Sequence, residues 1–150
     1  MINITRTDSD NNDFITLIKS LDAYLATTDG DEHAFYSQYN KLDKIKHVIV
    51  VYDDETPIGC GAIKVFEPET MEVKRMYVAP EGRNKGTASQ ILGELEKWAA
   101  ELGATRCILE TGKRQTEAVA FYKKNNYQIT ANYGQYEGVA NSICFEKVLG

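Results

Sequence analysis

Between Met71 and Glu110 the chain has the pattern of a strand, a helix and a second strand, and this unit limits the fold more than any other feature. Strands are predicted at Met71–Val78 and Thr105–Glu110. The segment between them has the three- and four-residue apolar spacing of an amphipathic helix, with one stripe made of Ala88, Ile91, Leu92, Leu95, Trp98, Ala99 and Leu102. Such crossovers join parallel strands and are right-handed in nearly all proteins. We therefore expect the two strands to run parallel in one sheet.

Three strands with short connections precede this helix. His47–Tyr52 is a continuous run rich in β-branched residues, which is typical of a buried strand. Turn residues separate it from Ile58–Phe66, and a second turn leads into Met71–Val78. This order predicts an antiparallel meander.

Further elements surround this centre. Gly103 is placed to end the long helix. Because no repeat, linker or low-complexity segment is present, residues 1–150 are expected to form one domain. Its class is α/β (α+β mixed), with a mixed, mostly antiparallel sheet of about six to seven strands and helices on both faces. The other predicted strands are Met1–Arg6, Tyr127–Thr130 and Ser142–Lys147, and the other helices are Phe14–Ala26, Glu32–Tyr39 and Gln115–Asn125.

Composition argues against several classes of protein. The formal charge is −5 and the basic residues are scattered, whereas a nucleic-acid binder needs a basic surface. No apolar run approaches the roughly 20 residues that cross a bilayer, and nothing resembles a signal peptide, so a cytoplasmic protein is expected. Cys60, Cys107 and Cys144 are far apart and lack metal-ligand spacing, so we expect buried thiols and no metal site.

The junction between Met71–Val78 and the long helix has the composition of an anion site. A helix N-terminus presents unpaired N–H groups and a partial positive charge. Within Arg83–Ser89, small residues leave room for a bulky group, hydroxyls add donors and basic residues add charge. Taken alone, the segment equally fits a glycine turn that starts a helix. It is not a Walker A loop, since Lys85 precedes Gly86.

Three motifs in register extend this pattern. Arg83-Asn84-Lys85-Gly86-Thr87-Ala88 resembles the Q/R-x-x-G-x-G/A signature of the GNAT superfamily of N-acetyltransferases. Ala118–Tyr127 resembles the family's A-x-x-[LF]-Y-x-x-x-G-[FY] signature, and Glu72–Val78 is similar to its strand before the loop. The resemblance extends over about Ile45–Leu149. Asn126 replaces the usual glycine of the second signature, and asparagine tolerates the same left-handed backbone.

The resemblance implies an acetyl-CoA site and a parallel pair of strands that splay around it. The end of the strand would hold the pantetheine arm as an added strand is held, and the loop would hold the pyrophosphate. Gln115 lies where the family often has an asparagine that reaches the cofactor, and a solvated residue at a helix start is the equal alternative. The implied contacts are Met76, Tyr77, Val78, Arg83, Asn84, Lys85, Gly86, Thr87, Ala88, Ser89 and Gln115.

The resemblance also implies catalytic roles. Tyr122 occupies the position of the general acid that protonates the leaving thiolate, although its spacing alone fits a core aromatic. Glu72 lies where some family members have a carboxylate base; its alternatives are a solvent-facing strand residue or a partner for Lys74 or Arg75. His33 is a second candidate base, since imidazole titrates near neutral pH, and a histidine on a helix surface is its alternative.

The acceptor pocket is expected to form between the early helices and the C-terminal part of the chain, where aromatic residues collect. A glycine-flanked loop, Gly134–Gly138, is placed to close over a substrate. For each tyrosine, a position at the edge of the core with a solvated hydroxyl is an equal alternative. The candidate acceptor contacts are Tyr36, Tyr39, Tyr133 and Tyr136.

These features together predict transfer of an acetyl group from acetyl-CoA to a primary amine of a small molecule or peptide. Direct attack by the neutral amine is expected, because no cysteine or serine has a convincing neighbouring base. Two rivals are a non-catalytic CoA or acyl-CoA sensor and a phosphate-loop module for another nucleotide. The resemblance also allows a homodimer.

Overall fold

The computed structural model describes residues 1–29 and 44–150. The predicted helix Glu32–Tyr39, and with it His33, Tyr36 and Tyr39, lies outside the described residues. Within them, the helices are α1 (Asn12–Asp29), α2 (Thr87–Glu101) and α3 (Thr116–Lys124). The strands β1 to β7 are, in order, Ile2–Thr7, His47–Asp53, Thr56–Glu67, Thr70–Val78, Arg106–Gly112, Gln128–Thr130 and Ser142–Val148.

These seven strands form one sheet in the order β1-β2-β3-β4-β5-β7-β6. Neighbours are antiparallel except for β4 and β5, which are parallel. The crossover through α2 therefore joins parallel strands as its sequence predicts, and the predicted fold class is confirmed. In the part of the chain that the structure describes, no helix is long and apolar enough to cross a membrane.

The two faces of the sheet bury different helices. In β2, Val48 and Val50 pack with α1, whereas Ile49 and Val51 lie in the cluster of α2, because successive side chains of a strand alternate between faces. Tyr122 places α3 on the α2 side. The buried residues of the two long helices are Phe14, Leu17, Ile18 and Leu21 in α1, and Ile91, Leu92, Leu95 and Ala99 in α2.

Helix α2 lies close to β3 because β3 carries glycines beneath it. A Cβ added at Gly61 would lie 2.7 Å from Met76 Sδ, 2.8 Å from Ile91 Cγ2 and 2.9 Å from Leu95 Cδ1. At Gly59 it would lie 2.9 Å from the Cδ1 atom of Ile91. Ordinary contacts between carbon atoms are about 3.5–4.0 Å. The absence of side chains on these two residues therefore sets how closely α2 approaches the sheet.

Strands β4 and β5 separate after a short paired stretch. They are paired only over Thr70–Glu72 of β4, although β4 continues to Val78 and β5 to Gly112. The register between β3 and β4 shifts close to Arg75, whose φ is +61°. Left-handed backbone is uncommon outside glycine, and such bulges bend a strand. The result is a wedge at the carboxyl ends of two parallel strands, a common location for ligand sites.

Two local expectations about the backbone are confirmed. Gly103 follows α2 with a φ of +94°, and its amide donates to Ala100 O at 3.0 Å. Asn126 has a φ of +72°, so asparagine adopts the left-handed conformation for which the family signature usually has glycine. The second signature therefore keeps its turn despite the replacement.

Candidate active site

A groove extends from the wedge along the start of α2 and the side of α3. Its volume is about 500 Å³, within the roughly 300–1,000 Å³ of small-molecule sites. Every implied acetyl-CoA contact except Lys85 lines this groove, and Tyr122 lines it as well. Residues that are distant in sequence, such as Met76 and Gln115, are therefore brought to one surface.

The amide end of α2 opens into the groove. Gly86 precedes the helix with a φ of +75°, and Asn84 has a φ of +62°. The amide of Gln90 donates to Gly86 O at 3.1 Å, so the amides of residues 87–89 have no acceptor within the helix. A Cβ added at Gly86 would have nothing within 4 Å. Open space above unpaired amides, with the partial positive charge of the helix end, suits an anion such as a pyrophosphate.

Three side chains of this loop, those of Thr87, Lys85 and Arg83, have partners within the protein. The hydroxyl of Thr87 is buried and donates to Gly82 O at 2.9 Å. This bond braces the loop, and the contact of Thr87 with an anion stays a prediction. Lys85 Nζ lies 3.9 Å from a carboxylate oxygen of Asp53, away from the groove. Arg83 lines the groove while its Nε donates to the last carbonyl of β4 at 3.1 Å.

Strand β4 presents an open edge to the groove. On one side Tyr77 and Val78 pair with β3, whereas on the other side the pairing with β5 ends at Glu72. Beyond Glu72 the two strands diverge, and Met76 lies at the groove wall. An unpaired strand edge offers N–H and C=O groups to an extended ligand. The implied contacts of the pantetheine arm therefore lie where such a ligand could be held.

A smaller cavity of about 130 Å³ adjoins the groove. Tyr122, Met76 and Gln115 line both spaces, so the two meet at these residues. Apolar side chains of α1 form one wall of the cavity. Besides Gln115 and Tyr122, its charged and polar residues are Glu72, Lys74, Arg75, Glu110, Thr111 and Tyr136.

Tyr122 lies at the junction of the two spaces. Only 7% of the residue is exposed, and its ring packs against Phe121, Tyr127 and Phe145 at centroid distances of 5.1, 5.7 and 6.0 Å. Burial raises the pKa of its phenol, so the hydroxyl keeps its proton at neutral pH. Tyr122 is thus a core aromatic by packing, and its location still allows it to donate a proton in the groove.

Glu72 is buried rather than solvent-facing, with 8% of the residue exposed. Its Oε2 accepts a hydrogen bond of 2.6 Å from the hydroxyl of Tyr133. Lys74 Nζ lies 3.8 Å from the other oxygen, Oε1, which is longer than a hydrogen bond. The predicted base therefore lines the small cavity with one oxygen bound by a phenol.

The two C-terminal tyrosines take different positions. Tyr136 lines the small cavity and is 3% exposed. Tyr133 directs its hydroxyl to Glu72 instead. Burial raises the pKa of both phenols, and nearby carboxylates, Glu72 for Tyr133 and Glu110 for Tyr136, raise them further. Both tyrosines are therefore hydrogen-bond donors throughout the neutral pH range.

Sequence reasoning did not find several residues of the cavity. Lys74, Arg75 and Glu110 line it, and so do Leu21 and Leu25 of α1. Glu110 had a usable signal, because it follows a buried apolar run toward the carboxyl end of a strand predicted to be parallel. Arg75 had none, since nothing in its residue type indicates a left-handed backbone.

The cysteines do not resemble nucleophiles. All three are free and buried. Burial raises the pKa of Cys60 and of Cys107 to about 12 and that of Cys144 to about 11. Since the thiolate is the reactive form, these groups are inert at neutral pH.

Comparisons with known proteins agree with the motifs. The chain matches the model of the acetyltransferase (GNAT) family over residues 14–127. It is 31% identical over 137 residues to an IAA acetyltransferase of Azospirillum brasilense, covering 90% of each chain. It is also 36% identical over 92 residues to an uncharacterised N-acetyltransferase of Bacillus subtilis, covering 61% of this chain and 63% of the other.

Solved structures share the whole fold. A candidate acyl-CoA N-acyltransferase of Klebsiella pneumoniae superposes with a TM-score of 0.84 at 28% identity, covering 100% of this chain and 99% of the other. A GNAT family acetyltransferase of Elizabethkingia anophelis with acetyl-CoA bound gives a TM-score of 0.71 at 19% identity, covering 99% and 98%. At that identity the likeness concerns the fold alone. The family match over residues 14–127 and the relative covered to 90% together show that the chain belongs to the GNAT acetyltransferase family.

Proposed function

We propose that this protein transfers the acetyl group of acetyl-CoA to a primary amine of a small molecule or peptide. The observation that carries the proposal is a single groove at which the amide end of α2, the open edge of β4 and Tyr122 meet. Proteins with the same fold hold coenzyme A or acetyl-CoA, which supports the same ligand for this groove.

The residues present fit acetyl-CoA. The amides of residues 87–89 would hold the pyrophosphate, with the guanidinium of Arg83 beside it. The edge of β4 at Met76–Val78 would pair with the amides of the pantetheine arm, and Gln115 offers a further amide at the junction of the two spaces. The exposed side chain of Lys85 lies beside Asp53, and Lys85 stays a predicted contact of the pyrophosphate. Acetyl-CoA supplies an activated thioester.

The chain's own residues meet the three requirements of acetyl transfer. Glu72 removes a proton from the amine, directly or through one water. Backbone N–H groups at the end of β4 stabilise the carbonyl oxygen as it gains negative charge. Tyr122 gives its proton to the departing sulfur. One N–C bond forms, one C–S bond breaks, and no charge is left on the sulfur.

The inert thiols favour direct attack over a covalent intermediate. An acyl-enzyme needs an activated nucleophile near the thioester. Of the three cysteines, each is buried with a raised pKa, and none lines the groove or the small cavity. The amine itself is therefore the nucleophile in this proposal.

Thiol release from acetyl-CoA tests the proposal. Four probe amines, spermidine, L-glutamate, tyramine and a peptide with a free N-terminus, are each added to the protein with acetyl-CoA. We expect release above the background of acetyl-CoA alone with at least one amine, and a product heavier by one acetyl group. Thiol release that is the same with and without an amine would contradict transfer to an amine.

Two binding measurements, run beside the assay, test the two rival functions. Calorimetric titration with coenzyme A tests the acyl-CoA sensor, and thermal shifts with ATP and with coenzyme A test the module for another nucleotide. Tight binding without turnover for any amine would favour the acyl-CoA sensor. A thermal shift with ATP and none with coenzyme A would favour a module for another nucleotide. Either result would contradict the proposed transferase.

A further inference from the structure

The connection between β6 and β7 is organised by one asparagine. Asn132 Nδ2 donates to the carbonyls of Tyr136, Val139 and Ser142 at 3.1, 3.0 and 3.2 Å. An amide group has two N–H donors, so the three carbonyls share them. The side chain therefore ties both ends of the loop to one point. The residue directly after it, Tyr133, starts from a well-defined position.

Tyr133 crosses from this loop to the strands of the active site. Its ring packs edge-on against Phe66 of β3, with centroids 5.0 Å apart, and against Tyr136 at 5.8 Å. Its hydroxyl donates to Glu72 Oε2 at 2.6 Å, the short distance of a bond to a charged acceptor. A phenol has one proton, and that proton is committed to Glu72. The hydroxyl of Tyr133 therefore has no proton left to donate to the amine that accepts the acetyl group.

We propose that Tyr133 is a positioning residue that acts through Glu72 rather than by binding the acceptor. This inference rests on the proposed function, in which Glu72 is the base. With Oε2 held by the phenol, Oε1 is the oxygen that receives the proton from the amine. Oε1 lies 3.8 Å from Lys74 Nζ, which leaves it without a tight bond to that ammonium group.

The physical reason is the cost of ordering a long side chain. A glutamate loses rotamer freedom when its carboxylate is held in one place, and this loss of entropy opposes the ordered position. The bond from Tyr133 orders the Glu72 carboxylate in the free protein, so the entropy is not lost when the substrates bind. A base displaced by about 1 Å loses on the order of 10²-fold in rate. Because burial raises the pKa of Tyr133, its hydroxyl remains a donor around neutral pH.

The test compares Tyr133→Phe, Glu72→Gln and the double variant, using the probe amine with the highest rate. For Tyr133→Phe we expect kcat lower by about 10- to 100-fold with KM for the amine nearly unchanged. The double variant is expected to be no slower than Glu72→Gln alone, because removing Tyr133 has no effect once its partner is lost. A raised KM with unchanged kcat would overturn the proposal, since it indicates contact with the acceptor. Additive losses would overturn it as well.

Tyr52→Phe is the matched control. Tyr52 also donates to a carboxylate, Asp13 Oδ2, at 2.8 Å, and it lines neither the groove nor the small cavity. Both variants remove one tyrosine–carboxylate bond, so a similar loss of stability is expected from each. Only Tyr133→Phe is expected to lower kcat. Equal kcat in Tyr133→Phe and Tyr52→Phe would show that the Tyr133–Glu72 bond contributes only to stability, and it would overturn the positioning role.

Three further results separate this inference from the proposed function. Full turnover in Glu72→Gln would overturn the assignment of Glu72 as the base, and the positioning role of Tyr133 with it, but would leave acetyl transfer in place; absence of turnover in the wild type with every probe amine would contradict the proposed function itself. A loss in Glu72→Gln with none in Tyr133→Phe would overturn only the positioning role. Crystal structures of wild type and Tyr133→Phe add a readout that needs no amine. We expect the Glu72 carboxylate to move or become disordered in the variant, and an unmoved carboxylate would contradict the inference.

Discussion

At the scale of single residues, Glu72 and Tyr122 differ in the surroundings that acid–base chemistry needs. Tyr122 packs among aromatic rings, which raise the pKa of its phenol and keep the proton in place. Glu72 is met by a phenol and an ammonium group instead. In the proposed reaction these two surroundings belong to the acid and to the base.

Two glycines at the start and the middle of α2 give opposite predictions for the same substitution. Neither Gly86 nor Gly93 has an atom within 4 Å of an added Cβ, so an alanine clashes at neither position. Gly86 has a φ of +75°, and we expect Gly86→Ala to lower the free energy of unfolding by about 1–2 kcal/mol and to weaken coenzyme A binding. Gly93→Ala should raise that free energy by about 0.5–1 kcal/mol. Urea unfolding measures both, and effects of equal sign would contradict the account.

The residue scale is also where sequence reasoning reached least far. The signature around Gly86 drew attention to the loop that lines the groove, yet the sequence did not show that Thr87 bonds to Gly82 or that Lys85 lies by Asp53. Those side chains are aimed by tertiary neighbours. The bond from Tyr133 to Glu72 joins residues 61 positions apart, and no local pattern encodes it.

At the scale of elements, β3 and α2 determine where the groove wall lies. Gly59 and Gly61 let the helix approach, and Met76 lies against the same spot, 2.7 Å from a Cβ added at Gly61. A side chain at Gly61 would therefore press on both α2 and Met76 at the wall of the groove.

We expect Gly61→Ala to lower the free energy of unfolding by about 1–3 kcal/mol through overpacking. Because Met76 must also shift, KM for acetyl-CoA should rise. In a Leu95→Ala background the cost of Gly61→Ala should shrink, since the Cδ1 atom 2.9 Å away is gone. Denaturant unfolding of the four proteins in this cycle measures the effect. Strict additivity would show that the side chain of Leu95 contributes nothing to the cost.

The elements themselves were largely predictable. The β-branched run His47–Tyr52 and the three- and four-residue apolar spacing of α2 indicate a strand and a helix directly. Every predicted element within the described residues is present. The bulge beside Arg75 was not predictable, because strand periodicity continues through it on both sides. Yet that bulge and the short β4–β5 pairing create the wedge, so the feature that makes the site was the one hidden from the sequence.

At the scale of the whole molecule, β1 is attached to α2 by a polar cluster far from the wedge. Arg6 donates to Glu94 and Glu101 and lies 4.7 Å from the ring of Trp98. His47 meets the same ring edge-on at 4.9 Å. Partial burial lowers the pKa of His47, and the charge of Lys46 lowers it further.

This cluster predicts a pH dependence of global stability. The unfolded chain protonates His47 near its ordinary pKa of about 6.5, whereas the folded chain resists protonation until lower pH. Stability is therefore full above that value and falls as the pH drops through the folded pKa. We expect wild type to lose stability between pH 7 and pH 5, and His47→Gln to lose less over the same interval. Parallel curves from urea unfolding would contradict this.

The central claim, acetyl transfer in the groove with Tyr122 as the acid, is tested most directly by Tyr122→Phe. Turnover of acetyl-CoA with the best probe amine and the Kd for coenzyme A are measured on the same preparation. We predict that kcat falls by about 10²- to 10⁴-fold, while Kd stays nearly the same because the ring and its packing remain. Unchanged turnover, or a Kd that rises in proportion to the lost rate, would contradict the account.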